Sequence, residues 1–207
     1  MLFRSHKFKV IPNPISFQSL DVSPLNQKRI VSLGRLVAPK GFQLLIKAFA
    51  CIVNEFPDWE VCIYGSGRDK EYLDSLIKKL ALTKHVFIHP PVKDVQQLMQ
   101  NASLCVLPSR YEGFGLVLVE AMACGVPCVA FDCECGPSEI IRDGEDGLIA
   151  QLDNLDSLAE KMRQLMTDNN LRAQMGKQAK TNMKRYSKDA IMDVWQSYFQ
   201  EISNSRN

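Results

Sequence analysis

The stretch SLCVLPSRYEGFGLVLVEAMACGVPCVAF, residues 103–131, contains one complete strand–helix–strand unit. SLCVL (103–107) and PCVAF (127–131) are short apolar runs of the length expected for strands. Between them, residues 115–124 predict a helix. A strand, a helix and a second strand in this order form a right-handed crossover within a parallel sheet. This stretch therefore predicts an α/β fold.

The same alternation continues on both sides of this unit. The apolar runs mostly lack an apolar–polar alternation, which is typical of parallel strands covered on both faces. The sequence thus predicts a doubly wound, Rossmann-like, mostly parallel sheet of six strands. The predicted strands are 29–33, 59–64, 86–89, 103–107, 127–131 and 147–150, and the helices between them are 41–55, 69–81, 94–101, 115–124 and 136–142.

The two ends of the chain differ from this pattern. Residues 1–27 contain IPNPI and show little periodicity, so we expect a linker or hinge there, followed by a Rossmann-like domain over 28–185. After residue 150 only helices are predicted, at 154–167, 169–182 and 188–202. The last helix, within the segment 186–207, has an apolar stripe that needs a partner surface and includes Trp195, Tyr198 and Phe199.

Composition excludes several classes of protein. With 207 residues, 46% hydrophobic content and a net charge of +2, the chain is no dedicated nucleic-acid binder, and no apolar run approaches the roughly 20 residues of a membrane helix. A cytoplasmic location is expected, since the N-terminus lacks a signal peptide pattern. A basic run favours a solvated face over a membrane patch; it comprises Lys177, Lys180, Lys184, Arg185 and Lys188.

The seven cysteines suit reduced thiols. Four of them lie close together in the sequence, so a zinc site has to be weighed, but they form no C-x-x-C pair and no histidine is near. Incidental thiols are therefore favoured over a metal site. The four are Cys124, Cys128, Cys133 and Cys135.

Polar and glycine-rich loops follow the first four strands. Ligands of open α/β sheets bind beyond the carboxyl ends of the strands, so these loops predict one site at one edge. The first loop places Arg35 and Lys40 before a helix. The loops are GRLVAPKG (34–41), GSGR (65–68), PPVK (90–93) and PSRYEGFG (108–115).

The EGFG loop leads directly into a helix. Free backbone N–H groups at residues 114–116 would form an anion pocket, which Gly113 and Gly115 allow a phosphate to approach closely. Together with Arg35 and Lys40, this pocket predicts a diphosphate site. A tight turn before a helix, with two exposed cations nearby, remains the alternative.

Glu120 is the only charged residue between Gly113 and Phe131, and it lies within a predicted helix. Burying a carboxylate is costly unless it is hydrogen-bonded. It lies about 12 Å along the helix from the region of Glu112, so a ligand with phosphates at the helix start could place its ribose hydroxyls on Glu120. Hydrogen bonds to backbone amides or water are the alternative.

Together these motifs resemble glycosyltransferase family 4, whose members have the two-domain GT-B fold. The resemblance covers the C-terminal, donor-binding domain and nearly the whole chain. It rests on GRLVAPKG, YGSG, PSRYEGFGLVLVEAMACGVPCVA, which contains a glutamate–seven residues–glutamate pattern at Glu112 and Glu120, and CGPSEIIRDGEDGLIA.

The resemblance implies roles for individual residues. Arg35 and Lys40 would hold the diphosphate as it leaves, and Glu112 would contact the hydroxyls of the donor sugar. These three are the implied catalytic residues, and Glu139 fits a position near the pocket. The implied donor-binding residues are Gly34, Gly65, Val92, Lys93, Gly113, Phe114, Gly115, Leu116 and Glu120, the last for the ribose.

The resemblance also implies the reaction. A hexosyl group would pass with retention from a nucleotide sugar, expected to be a UDP-sugar, to a glycan or lipid-linked acceptor, without a metal or other cofactor. Family members are longer and bind the acceptor with an N-terminal domain, on which the last helix would partly pack. We therefore expect part of that helix to be exposed and the chain to have low activity alone, in the cytoplasm or at the cytoplasmic face of a membrane.

Other functions stay open. The chain could be a non-catalytic module that binds nucleotide sugars, or a GT-B nucleotide-sugar epimerase. A dinucleotide-dependent dehydrogenase is disfavoured, because GRLVAPKG follows the first strand instead of a glycine-rich fingerprint. The sequence does not identify the sugar, the base, the acceptor or the oligomeric state.

Overall fold

The computed structural model describes residues 9–15, 17 and 22–204, which contain six strands and eight α-helices. The strands are β1 (Arg29–Leu33), β2 (Glu60–Tyr64), β3 (Val86–His89), β4 (Leu104–Leu107), β5 (Cys128–Phe131) and β6 (Gly147–Ala150). The helices are α1 (Phe42–Ile52), α2 (Lys70–Lys79), α3 (Val95–Gln100), α4 (Leu116–Ala123), α5 (Pro137–Ile140), α6 (Leu155–Thr167), α7 (Asn169–Asn182) and α8 (Lys188–Asn204). Every predicted strand and helix is present.

The strands form one sheet in the order β3-β2-β1-β4-β5-β6. Every pairing in it is parallel. The prediction of a mostly parallel sheet is therefore confirmed, and the sheet is fully parallel. Ile30 of β1 pairs with Val61 of β2 on one side and with Leu104 of β4 on the other. The strand order therefore reverses between β1 and β4, and their carboxyl ends form the crevice where such folds bind ligands.

Helices cover both faces of the sheet, as β4 illustrates. Leu104 and Val106 belong to a buried cluster with residues of α1, α2 and α6, whereas Cys105 and Leu107 belong to one with residues of α3 and α4. Each large aliphatic side chain buried in this way contributes about 1.5–3 kcal/mol. Two apolar layers thus hold the strand ends in place.

The described segments on either side of the sheet pack against this core to different extents. In the stretch predicted as a linker, the hydroxyl of Ser23 donates to the carbonyl of Ala102 at 2.6 Å and is buried. At the other end, Ile191 is buried, whereas Trp195 is 38% and Phe199 60% exposed. The expected exposure of the last helix is therefore present. The assignment of residues 1–27 as a linker or hinge stays a prediction, as does the packing of the last helix on an N-terminal domain. Residues 1–8, 16, 18–21 and 205–207 lie outside the described residues.

The cysteines are free thiols, and no three His, Cys, Asp or Glu side chains in the described part of the chain are grouped to hold a metal. Cys128 pairs in register with Cys105 inside the sheet, and burial, followed by the contact with Cys105, raises the pKa of the Cys128 thiol. This arrangement is that of core thiols. In the same part of the chain, no helix has the length and apolarity required to cross a bilayer.

Candidate functional site

The loops after β1 and β4 touch each other through their backbones. The first contains a short 3₁₀ turn and ends at Gly41, whose φ of +67° lies in the left-handed region. A Cβ atom at this position would lie 1.9 Å from the carbonyl oxygen of Pro108, so only glycine fits. The N–H of Arg110 also donates to the carbonyl of Pro39 at 2.8 Å. The loops after β1 and β4 are thus in direct backbone contact at the edge where the strand order predicts ligand binding.

Lys40 and Glu112 meet across this junction. Lys40 Nζ lies 2.6 Å from Glu112 Oε1, and the two side chains are only 21% and 9% exposed. The Ser109 hydroxyl, which is buried, donates to the same Oε1 at 2.7 Å. Two predicted catalytic residues, 72 positions apart in the sequence, therefore form one hydrogen-bonded cluster.

Arg35 lies on the same loop as Lys40. Its side chain is exposed, and among the described residues it makes no ion pair or side-chain hydrogen bond. A guanidinium in this state keeps all five of its donors available. The loop after β1 thus offers one engaged cation, Lys40, and one with open donors.

Helix α4 begins at this edge. Gly115 precedes it with a φ of +91°, and the first N–H groups of any α-helix have no partner within the helix. A Cβ atom added at Gly113 would meet nothing within 4 Å, so the loop before α4 is open to approach. Phe114 and Leu116 complete this turn; the ring of Phe114 packs edge-on against Tyr186 at 5.6 Å between centroids. The N–H groups of a helix start of this kind can donate hydrogen bonds to an anion, so the predicted anion pocket is geometrically open and stays a prediction.

Glu120 lies one turn into α4, where its side chain is half-buried. It is therefore four residues, about 6 Å by helical rise, beyond Leu116. Helix α4 carries no other charged residue, as its sequence LVLVEAMA shows. The placement of Glu120 fits the ribose-binding role that the resemblance implies, and this role stays a prediction. Glu139, which the resemblance places near the pocket, is exposed in the first turn of α5.

The loops after β2 and β3 lie farther along the same edge. A Cβ atom at Gly65 would lie 1.9 Å from the carbonyl oxygen of Gly34, so the β1 and β2 loops are also in close contact. Val92 is half-buried and Lys93 exposed in the loop after β3. Hydrogen bonds and ion pairs of the described residues do not connect Val92 or Lys93 to Lys40, and the donor-binding role that the resemblance implies for them stays a prediction.

Two residues of this cluster were not predicted from the sequence. Ser109 stands three positions before Glu112, a spacing that carries no distinctive signal by itself. Cys133 follows β5 and is 3% exposed. Burial raises the pKa of its thiol, and the neighbouring Glu112 carboxylate raises it further. The sequence favours an incidental thiol at Cys133, whereas the structure places this thiol beside the Lys40–Glu112 pair.

The arrangement combines two cations and a helix N-terminus with a nearly buried carboxylate. Two positive charges and aligned N–H groups attract an anion with more than one negative charge, such as a diphosphate. A carboxylate next to them can accept hydrogen bonds from hydroxyl groups. The site can therefore hold a ligand that has phosphates at one end and hydroxyls beside them.

Comparisons with known proteins agree with this chemistry. The family model described as Glycosyl transferases group 1 matches residues 18–182. The chain is 38% identical, over 97% of its own length and 21% of the relative's, to an exopolysaccharide phosphotransferase of Streptomyces coelicolor. It is also 32% identical to a poly(ribitol-phosphate) alpha-N-acetylglucosaminyltransferase of Staphylococcus aureus, over 84% of this chain and 35% of the relative.

The fold is similar to that of S. aureus TarM, crystallised with fondaparinux, alpha-GlcNAc-glycerol and UDP. The TM-score is 0.85 at 30% identity, over 95% of this chain and 40% of that one. The chain therefore spans well under two thirds of these relatives and matches one half of a GT-B fold. Because the family model covers far more than half of the sequence, this protein belongs to the group 1 glycosyltransferases.

Proposed function

We propose that this chain binds a nucleotide sugar, expected to be a UDP-sugar, as the donor half of a retaining hexosyltransferase. The observation that carries the proposal is the meeting of Lys40, Glu112 and the start of α4 at the crevice between β1 and β4. Uridine is favoured because TarM, which shares the fold, was crystallised with UDP. Several relatives are also named for polysaccharide assembly.

The central chemical problem of such a transfer is charge. When the bond between the sugar and the diphosphate breaks, negative charge grows on the phosphate and positive charge on the sugar. Arg35, Lys40 and the N–H groups at the start of α4 would stabilise the phosphate charge, each by about 2–4 kcal/mol. These cations would do the work that a metal does elsewhere, so no metal is needed in this proposal.

Glu112 would contact the sugar. Its carboxylate lies beside Lys40, so a sugar joined to the bound diphosphate would have its hydroxyls near it. In this proposal Glu112 orients the sugar and favours positive charge on it, and it is not assigned as a nucleophile. The acceptor oxygen would form its bond to the sugar on the face from which the diphosphate departs and would pass its proton to a departing phosphate oxygen; attack on that face gives retention.

The acceptor would be a glycan or lipid-linked saccharide, bound by an N-terminal domain like that of longer family members. The exposed aromatic pair on α8, Trp195 and Phe199, whose rings stack at 5.5 Å between centroids, offers a surface for that domain. The chain alone should then bind the donor but transfer sugar slowly. Action in the cytoplasm, at the inner face of a membrane, would suit lipid-linked acceptors.

A thermal-shift panel tests the proposal. UDP-, GDP- and ADP-sugars are added to the whole chain, with the free sugars as controls. Binding to the folded state alone raises the melting temperature, so a UDP-sugar at a hundred times its Kd should stabilise the chain by about 2.7 kcal/mol. If no nucleotide sugar raises the melting temperature at millimolar concentration, the proposal is wrong.

A further inference from the structure

We infer that Ser109 is a positioning residue that, with Lys40, fixes one oxygen of Glu112 and leaves the other for the donor sugar. This inference rests on the proposed function. It concerns a residue to which neither the motif nor the anion site assigns a role.

The hydrogen bonds of Glu112 are asymmetric. The Ser109 hydroxyl donates to Oε1 at 2.7 Å, and Lys40 Nζ donates to the same oxygen at 2.6 Å. Within the described part of the chain, Oε2 accepts no hydrogen bond. One oxygen of the carboxylate is therefore fully engaged, whereas the other keeps its acceptor capacity for a ligand hydroxyl.

The burial of the two side chains makes Ser109 an effective anchor. As whole residues, Ser109 is 1% and Glu112 7% exposed, so water competes weakly for this hydrogen bond. Ser109 directly follows Pro108, whose carbonyl oxygen packs against Gly41. The hydroxyl thus comes from a rigid junction, whereas Lys40 reaches Oε1 with a long flexible side chain.

Because of this difference, Lys40 and Ser109 respond differently to a bound diphosphate. When a diphosphate binds, Lys40 is drawn toward the phosphate, and its bond to Oε1 weakens. The Ser109 hydroxyl is uncharged, so the negative phosphate does not draw it away from Oε1. In the donor complex, Ser109 would therefore be what keeps the orientation of Glu112 fixed while Oε2 accepts from the sugar.

The test compares Ser109→Ala with Ser32→Ala. Ser32 is an equally buried serine whose hydroxyl donates to the carbonyl of Val106 at 2.6 Å, within the sheet and without contact to Glu112. For each variant, calorimetry measures the Kd for UDP and for the UDP-sugar that binds wild type most tightly among UDP-glucose, UDP-galactose and UDP-GlcNAc. The ratio of these two Kd values isolates the contribution of the sugar.

Ser109→Ala should weaken UDP-sugar binding about 2- to 10-fold while UDP binding changes less than twofold. Ser32→Ala should lower the melting temperature but leave the ratio unchanged, and Ser109→Thr, which keeps the hydroxyl, should restore the ratio. An unchanged ratio in Ser109→Ala, or an equal loss of both ligands, overturns the inference and leaves the proposed function standing. If wild type binds UDP but gains nothing from any of the sugars, this inference and the donor role both fail.

Discussion

Replacing Lys40 by methionine tests the cluster between the β1 and β4 loops without any ligand. The change keeps the length of the side chain but removes the charge that faces Glu112 at 2.6 Å. Removing one member of a fully buried ion pair costs about 3–5 kcal/mol, whereas exposed pairs contribute about 0–1 kcal/mol. Here the side chains are 21% and 9% exposed and Ser109 still donates to Glu112. We therefore expect a loss of about 1.5–3 kcal/mol.

Lys70 offers a matched control for this change. Its Nζ lies 2.7 Å from Asp74 on the surface of α2, but these side chains are 54% and 38% exposed. Lys70→Met should then cost less than about 0.5 kcal/mol. Urea unfolding of both variants gives the two free energies of unfolding if the slope with urea is unchanged. If Lys40→Met costs no more than Lys70→Met, the pair contributes nothing special and the reasoning from burial is refuted.

Three further predictions follow from individual residues. In urea unfolding, Gly41→Ala should lower the free energy of unfolding by about 3 kcal/mol or more, because the new Cβ atom would clash with Pro108. The control is Gly144→Ala, at a similar φ of +80° with nothing within 4 Å of the new Cβ atom, which should cost about 1 kcal/mol. Equal losses would contradict the close contact between Gly41 and Pro108. Glu120→Ala should weaken UDP binding at least about tenfold in calorimetry, since ribose hydroxyls lose a charged acceptor, and an unchanged Kd would remove the ribose role. Burial raises the pKa of the Cys62 thiol to about 11, so between about pH 9 and 11 the thiol loses its proton in the unfolded chain before it does in the folded one, and the free energy of unfolding falls as pH rises. This fall should be shallower in Cys62→Ala. Identical falls with pH in the two proteins would show that folding does not raise the pKa of this thiol.

The sheet could be predicted from the sequence because its strands are short apolar runs, and glycine or proline directly follows each of β1 to β4. Helix ends were less predictable, as α5 shows. A helix was predicted over 136–142, but it spans only Pro137–Ile140. The N–H of Arg142 donates instead to the carboxylate of Asp146 at 2.7 Å, a local side-chain hydrogen bond that competes with helix.

The site was predictable at the level of its loops and not of its contacts. The loop after β1 indicated Arg35 and Lys40, because the strand ends of a parallel sheet converge at one edge, whereas the role of Glu112 came only from the resemblance to the family. The contact between Lys40 and Glu112 depends on the packing of Gly41 against Pro108, which no local pattern reveals. Contacts made by Ser109 and Cys133 depend on the same three-dimensional packing.

The central claim is that a diphosphate binds at the crevice between β1 and β4, and an NMR titration with UDP tests it most directly. In ¹⁵N-labelled protein, the backbone amides of residues 34–38, 40–41 and 113–117 should show the largest shift changes, saturating with a single Kd, and Arg35→Ala should raise that Kd. Changes confined to α7 and α8, with residues 113–117 unmoved at saturating UDP, would contradict the account.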